Sequence, residues 1–96
     1  MTVDIYPATM TGNNIDHADD WNEDSTLNLA NGNFAALFDA LGIDQFAATP
    51  GHMKLKTFEM ALTLNESNIT NPYYVEKLKK ICAVAHIKKA PFIAFA

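Results

Sequence analysis

The sequence predicts a small α+β domain. Both ends of the 96-residue chain read as β-strands, and three segments between them carry apolar residues at helical spacing. One domain over residues 1–96 follows, with a three-stranded sheet (N-terminal, middle and C-terminal strands) packed against about three helices. A chain of this length buries roughly 60–65% of the surface its unfolded form exposes, enough to fold without disulfides.

Thr2-Val3-Asp4-Ile5-Tyr6 alternates in polarity and is rich in β-formers, so it reads as a strand over 2–6 that Pro7 ends. Residues 8–24 are polar and acidic with turn chemistry at Gly12-Asn13-Asn14, which predicts a long surface loop. Thr26-Leu27-Asn28-Leu29 alternates again, giving a middle strand over 26–29. Asn31 or Asn33 can then cap a helix over 33–41, with Phe34, Leu37, Phe38 and Leu41 as its apolar stripe and Gly42 at its stop. Ile43 and Phe46 are expected to pack beneath that turn. Thr49-Pro50 resembles a cap with proline in the first turn of a second helix, over 50–64, whose face is Leu55, Phe58 and Leu62. Met60, Leu62 and Leu64 also alternate like a strand.

Asn71-Pro72 opens the longest helix, over 72–89, with Tyr74, Leu78, Ile81, Cys82 and Ala85 on one face. Pro91 blocks its continuation. Phe92-Ile93-Ala94-Phe95-Ala96 is apolar on both faces, as a buried strand is, and pairing it with the first strand is the economical arrangement. The predicted core is Leu37, Phe38, Leu41, Phe58, Leu62, Leu78, Ile81, Cys82, Ile93 and Phe95.

Charge is strongly polarised along the chain. Residues 1–53 hold eight acids and no lysine, whereas residues 54–96 hold seven lysines against three acids. Such a distribution suggests a two-faced surface and a partner that reads charge. Arginine is absent. Arginine supplies the planar fork that grips phosphate or guanine with two bonds, and lysine is only a point charge, so sequence-specific nucleic-acid binding is not expected. Lys77, Lys80, Lys88 and Lys89 would make at most weak, salt-sensitive contacts to phosphate. Cys82, the single cysteine, excludes an internal disulfide and a cysteine-rich zinc site. No apolar run approaches the ~20 residues a membrane span needs, and no basic-then-apolar signal opens the chain, so the expected location is cytoplasmic with no membrane partner.

The segment from Asp16 to Asp24 concentrates five acids around Trp21. Asp16, Asp19, Asp20, Glu23 and Asp24 would steer a basic partner. Trp21 either tucks over the core, as burial preferences favour, or anchors that partner as interface tryptophans do. Asp20, Asn22 and Asp24 also match the first ligand positions of a calcium loop, but Ser25 stands where the turn wants glycine and Asn31 where a bidentate glutamate belongs. A His17 metal site would need His52 or His86 from afar. Cys82 and His86 lie four apart on one helix, the spacing of a thiol and its base, yet Cys82 sits within the apolar stripe and reads as core. Asn28, Asn31 and Asn33 suit an anion site less simply than a strand-to-helix corner.

That corner, Leu27-Asn28-Leu29-Ala30-Asn31-Gly32-Asn33-Phe34 followed by Leu37 and Leu41-Gly42, resembles a group of small bacterial proteins of unknown function. They share a Leu-Asn-Leu-x-Asn-x-Asn corner and end in a tyrosine-containing helix and short strand, to which Asn71-Pro72-Tyr73-Tyr74, Leu78 and residues 91–96 are similar. The resemblance implies an α+β fold and a structural role for the asparagines, and brings no activity. With no acid, base and nucleophile assembled and no cofactor implied, the expected function is a small acidic interaction module, of the inhibitor, immunity or anti-host type, binding a basic protein. Self-association is a variant of it. The alternative is a divalent-metal protein or small metal-dependent enzyme using the 16–24 segment.

Overall fold

The computed structural model describes residues 1–44 and 51–96. Its elements are β1 (Thr2–Thr11), β2 (Asn14–His17), β3 (Leu27–Ala30), α1 (Asn31–Ala40), β4 (His52–Lys54), α2 (Leu55–Asn65), α3 (Pro72–Ile87) and β5 (Phe92–Phe95), an α+β fold. All strand pairings are antiparallel: β1 is central, flanked on one edge by β5 and then β4, and on the other by β2 and β3 end to end. Among the described residues the sheet therefore has five strands, two more than the sequence suggests.

The first extra strand lies in the segment expected to be loop. β1 does not stop at Pro7 but runs to Thr11 and turns into β2. Pro7 is tolerated because β3 pairs with residues 2–5 and β2 with residues 8–11, so no neighbour calls on the missing N–H at position 7. Its carbonyl still accepts a bond from Ala18 N–H at 2.9 Å. The second extra strand, β4, displaces the expected start of the second helix from residue 50 to Leu55. Gly51 explains this. It adopts φ +83°, its carbonyl accepts the Phe95 N–H at 2.7 Å, and a Cβ there would stand 2.8 Å from the Phe95 carbonyl oxygen. Phe46, Thr49 and Pro50 lie outside the described residues.

The helices pack on one face of the sheet. Every residue predicted for the core is buried there, with Phe38 at its centre against Phe34, Phe58 and Phe95. Ile43 packs against the same cluster. Leu62 is buried while Met60 and Leu64 are exposed, so helical spacing and not alternation governs that segment. α1 closes at Leu41 with Gly42 at φ +71°. Its N-cap is Ala30, with no capping side chain, and neither Asn31 nor Asn33 takes that role: β3 passes straight into the helix, and the Asn31 N–H bonds Met1 C=O instead. α3 begins as expected, Asn71 Oδ1 accepting the Tyr73 N–H at 3.0 Å. It stops at Ile87, two residues early, because Lys89 turns left-handed (φ +56°) and Ala90 N–H closes on Ala85 C=O. No helix among the described residues is long and apolar enough to cross a membrane.

The opposite face of the sheet carries Tyr6, Ala8 and Ala94, with Ile15 and Phe92 beside them. The 18–25 segment crosses from this face toward α3.

Candidate functional site

Residues 18–25 form two compact turns, the second a short 3-10 turn at Glu23–Ser25. Asp20 and Trp21 both adopt left-handed backbone angles, φ +52° and +60°, unfavourable by roughly 1–2 kcal/mol per non-glycine residue. Two buried polar groups hold the chain in that shape. Ser25, fully buried, places its hydroxyl 2.9 Å from Asp19 Oδ2 and 3.2 Å from Asn22 C=O. His17 Nδ1 accepts the Asp19 N–H at 2.9 Å, so that nitrogen carries no proton. Its Nε2–H then donates to Thr26 Oγ1 at 2.8 Å, and Thr26 donates onward to Asn22 C=O at 2.9 Å. The neutral imidazole is thereby specified, and burial accordingly pushes the His17 pKa below its usual 6.5, against the opposing pull of Asp19, Asp20 and Asp4.

The consequence is an aromatic stack on the helix-free face. Tyr6 and His17 lie parallel with centroids 4.8 Å apart, and the Trp21 ring covers both at 4.7 and 4.8 Å. Trp21 therefore tucks and protrudes at once: one side of the indole seals Tyr6, yet 56% of the residue remains exposed. Carboxylates surround the stack. The Tyr6 phenol is raised above its usual pKa by burial first, then by Asp4 and Asp16.

The six residues singled out from sequence do not form one surface. Asp20 and Trp21 belong to the aromatic face, whereas Asp16 alternates with Ile15 and His17 along β2 and leaves the sheet on the other side; among the described residues no ion pair or hydrogen bond engages the side chains of Asp16 and Asp20. Asp19 and Asp24 turn the other way, to Lys88 at 3.6 Å and Lys80 at 3.9 Å. Glu23 gives its carbonyl to Lys77 Nζ at 2.6 Å, and its side chain borders a groove of about 620 Å³ between β3 and α3. Lys80 and Lys88 thus meet acids of the other half of the chain within the molecule itself. As for a cation at Asp20, Asn22 and Asp24, Asn22 Oδ1 already accepts the Asp24 N–H at 3.0 Å, and no group of three His, Cys, Asp or Glu among the described residues is placed to hold a metal.

Cys82 is buried, and burial with Glu59 nearby pushes its thiol up to about 12. His86 turns from it to Glu59 of α2, Nε2 to Oε1 at 2.8 Å, so an acid does orient this histidine, but no thiolate is available to it. Sequence reasoning missed Tyr6, Ser25 and the structural role of His17. Only the alternation of β1, placing Tyr6 opposite Ile5, pointed to the first. No protein-family model, curated protein or solved structure matches this chain.

Proposed function

We propose that this chain is a small, acidic, non-catalytic interaction module that binds a basic protein through the Trp21 face. The observation that supports this reading is the Trp21 ring, propped on Tyr6 and His17 by two left-handed residues and left 56% exposed among carboxylates. An electron-rich ring with Asp20 and Asp4 nearby is the chemistry that receives a lysine or arginine side chain: the ring face attracts the cation and the acids steer it in. In this reading Asp20 presents charge to the partner, while Asp19 and Asp24, paired with Lys88 and Lys80, dock the loop on α3. Because Lys77, Lys80 and Lys88 already meet groups of their own chain, head-to-tail self-association and phosphate binding through α3 are both weakened. A cytoplasmic inhibitor or immunity-type protein is the setting this reading fits by analogy.

Capture from a lysate on immobilised protein, compared among wild type, Trp21→Ala and Asp20→Lys, tests it. The expected result is a basic protein retained by the wild type, lost from both variants and lost with added salt, while both variants keep their fold by circular dichroism. Equal capture by all three, or an acidic protein as the main retained species, overturns the reading.

A further inference from the structure

We propose that the open edge of β3 receives an extended peptide of a partner protein as an added strand, seated in the groove between β3 and the first turns of α3. The hydrogen-bond register of β3 carries the argument. Asn31 N–H bonds Met1 C=O at 3.3 Å, and Ala30, Leu29, Asn28 and Leu27 pair in turn with Thr2 through Ile5. In an antiparallel ladder the bonded positions alternate, so Leu27 and Leu29 direct their N–H and C=O groups to β1. Asn28 and Ala30 direct theirs away from it. The Ala30 carbonyl begins α1, which leaves Asn28 N–H, Asn28 C=O and Ala30 N–H without a backbone partner among the described residues, at strand spacing and on residues that are exposed.

Natural sheets blunt such an edge with lysine, proline, a bulge or a covering element. Leu27–Ala30 is protected only by being short: it has none of the first three, and in place of a cover it has the groove. All four β3 residues line one wall, Tyr73, Tyr74 and Lys77 of α3 the other, and Glu23 and Asp24 one end. Four residues of strand span about 13 Å, room for a four- or five-residue segment. Three backbone groups in strand register recognise another backbone, whatever its sequence; the walls set the sequence. Side chains of the added strand on the helix side would lie on the rings of Tyr73, itself 55% exposed, and Tyr74, which suits alternate apolar residues. Glu23, whose side chain no ion pair or hydrogen bond among the described residues engages, calls for a cationic residue at that end. This surface is separate from the Trp21 face and does not depend on it.

The test uses the full ¹⁵N-labelled chain and an octapeptide of alternating lysine and valine. Binding should shift the Asn28 and Ala30 amide signals and slow their hydrogen exchange. Ala30→Pro is the informative variant. Position 30 has φ −62°, which proline adopts, it follows an extended residue, and its N–H faces the groove, so only the donor is lost. Ala30→Pro should keep the wild-type melting temperature within a few degrees and weaken the peptide at least roughly tenfold. Independently of any variant, N-methylating the alternate peptide residues that face β3 should abolish binding, and methylating the other set should not. Trp21→Ala should bind the peptide as wild type does, which separates failure here from failure of the Trp21 reading. Unchanged Asn28 and Ala30 signals up to about 1 mM peptide, equal affinity for both methylated peptides, or sedimentation showing that this edge pairs with a second copy instead, would each overturn the proposal.

Discussion

Ser25→Ala removes one atom, and its cost follows from where that atom sits. The hydroxyl is fully buried and donates toward Asp19 Oδ2 at 2.9 Å. A hydrogen bond to a charged group contributes about 1.5–3 kcal/mol. Asp19 keeps a share of its solvation, its side chain being 17% exposed and 3.6 Å from Lys88, so the lower part of that range applies: about 1.5–2 kcal/mol. In a domain of this size that is a fall of roughly 6–16 °C in melting temperature. The chain has one tryptophan, and it belongs to the segment that Ser25 holds. Urea unfolding followed in parallel by Trp21 fluorescence and far-ultraviolet circular dichroism therefore reads the segment and the whole fold separately. The variant should lower both midpoints, with fluorescence changing first as Asp20 and Trp21 leave their left-handed angles. If the loss is under about 0.5 kcal/mol and the two probes still coincide, the hydroxyl does not hold the segment and the account of the aromatic face fails.

Two further outcomes follow from the same local chemistry. His17 is held neutral in the folded state and its pKa lies below the usual 6.5, so its contribution is fully present above pH 6.5 and is lost as pH falls through the folded value; urea midpoints at pH 7.5 and 5.5 should differ more in the wild type than in His17→Gln. Lys89→Gly should stabilise the protein by about 0.5–1 kcal/mol, since glycine removes left-handed strain at φ +56° and returns part of that gain as unfolded-state entropy; a thermal melt with no rise argues against strain at that turn.

What could be read from the chain is what short-range periodicity controls. The helical stripes of α1, α2 and α3 placed Phe38, Phe58, Leu78 and Ile81 correctly in the core, because a helix exposes its burial pattern in its own spacing. β2 and β4 escaped because a strand of three or four residues is defined by its partner. Asn14–His17 acquires meaning only opposite residues 8–11, and His52–Lys54 only opposite β5. Pro7 misled for the same reason: whether proline ends a strand depends on whether a neighbour needs its N–H. At the candidate site the acids and Trp21 were visible by composition. Their division between two surfaces was not, since it depends on the backbone angles of Asp20 and Trp21, residues not usually found left-handed in succession.

The charge polarity of the chain acquires a different meaning once the fold is known. Opposite charges in the two halves of a sequence suggest an outward dipole, yet Lys80 and Lys88 reach the Asp24 and Asp19 carboxylates, and Lys77 the Glu23 backbone carbonyl, on residues more than fifty positions away in sequence. The two contacts beyond 3.5 Å are partly exposed pairs and contribute little to stability individually. Their effect is positional: they hold the 18–25 segment against α3, which leaves Trp21 on the far side of the sheet and Glu23 and Asp24 beside the edge of β3. A loop that a sequence presents as a single acidic patch becomes a strap with an aromatic face on one side and a peptide-sized groove on the other. Both surfaces owe their shape to it, so neutralising Lys80 and Lys88 should disturb the two together, whereas Trp21→Ala and Ala30→Pro each disturb one.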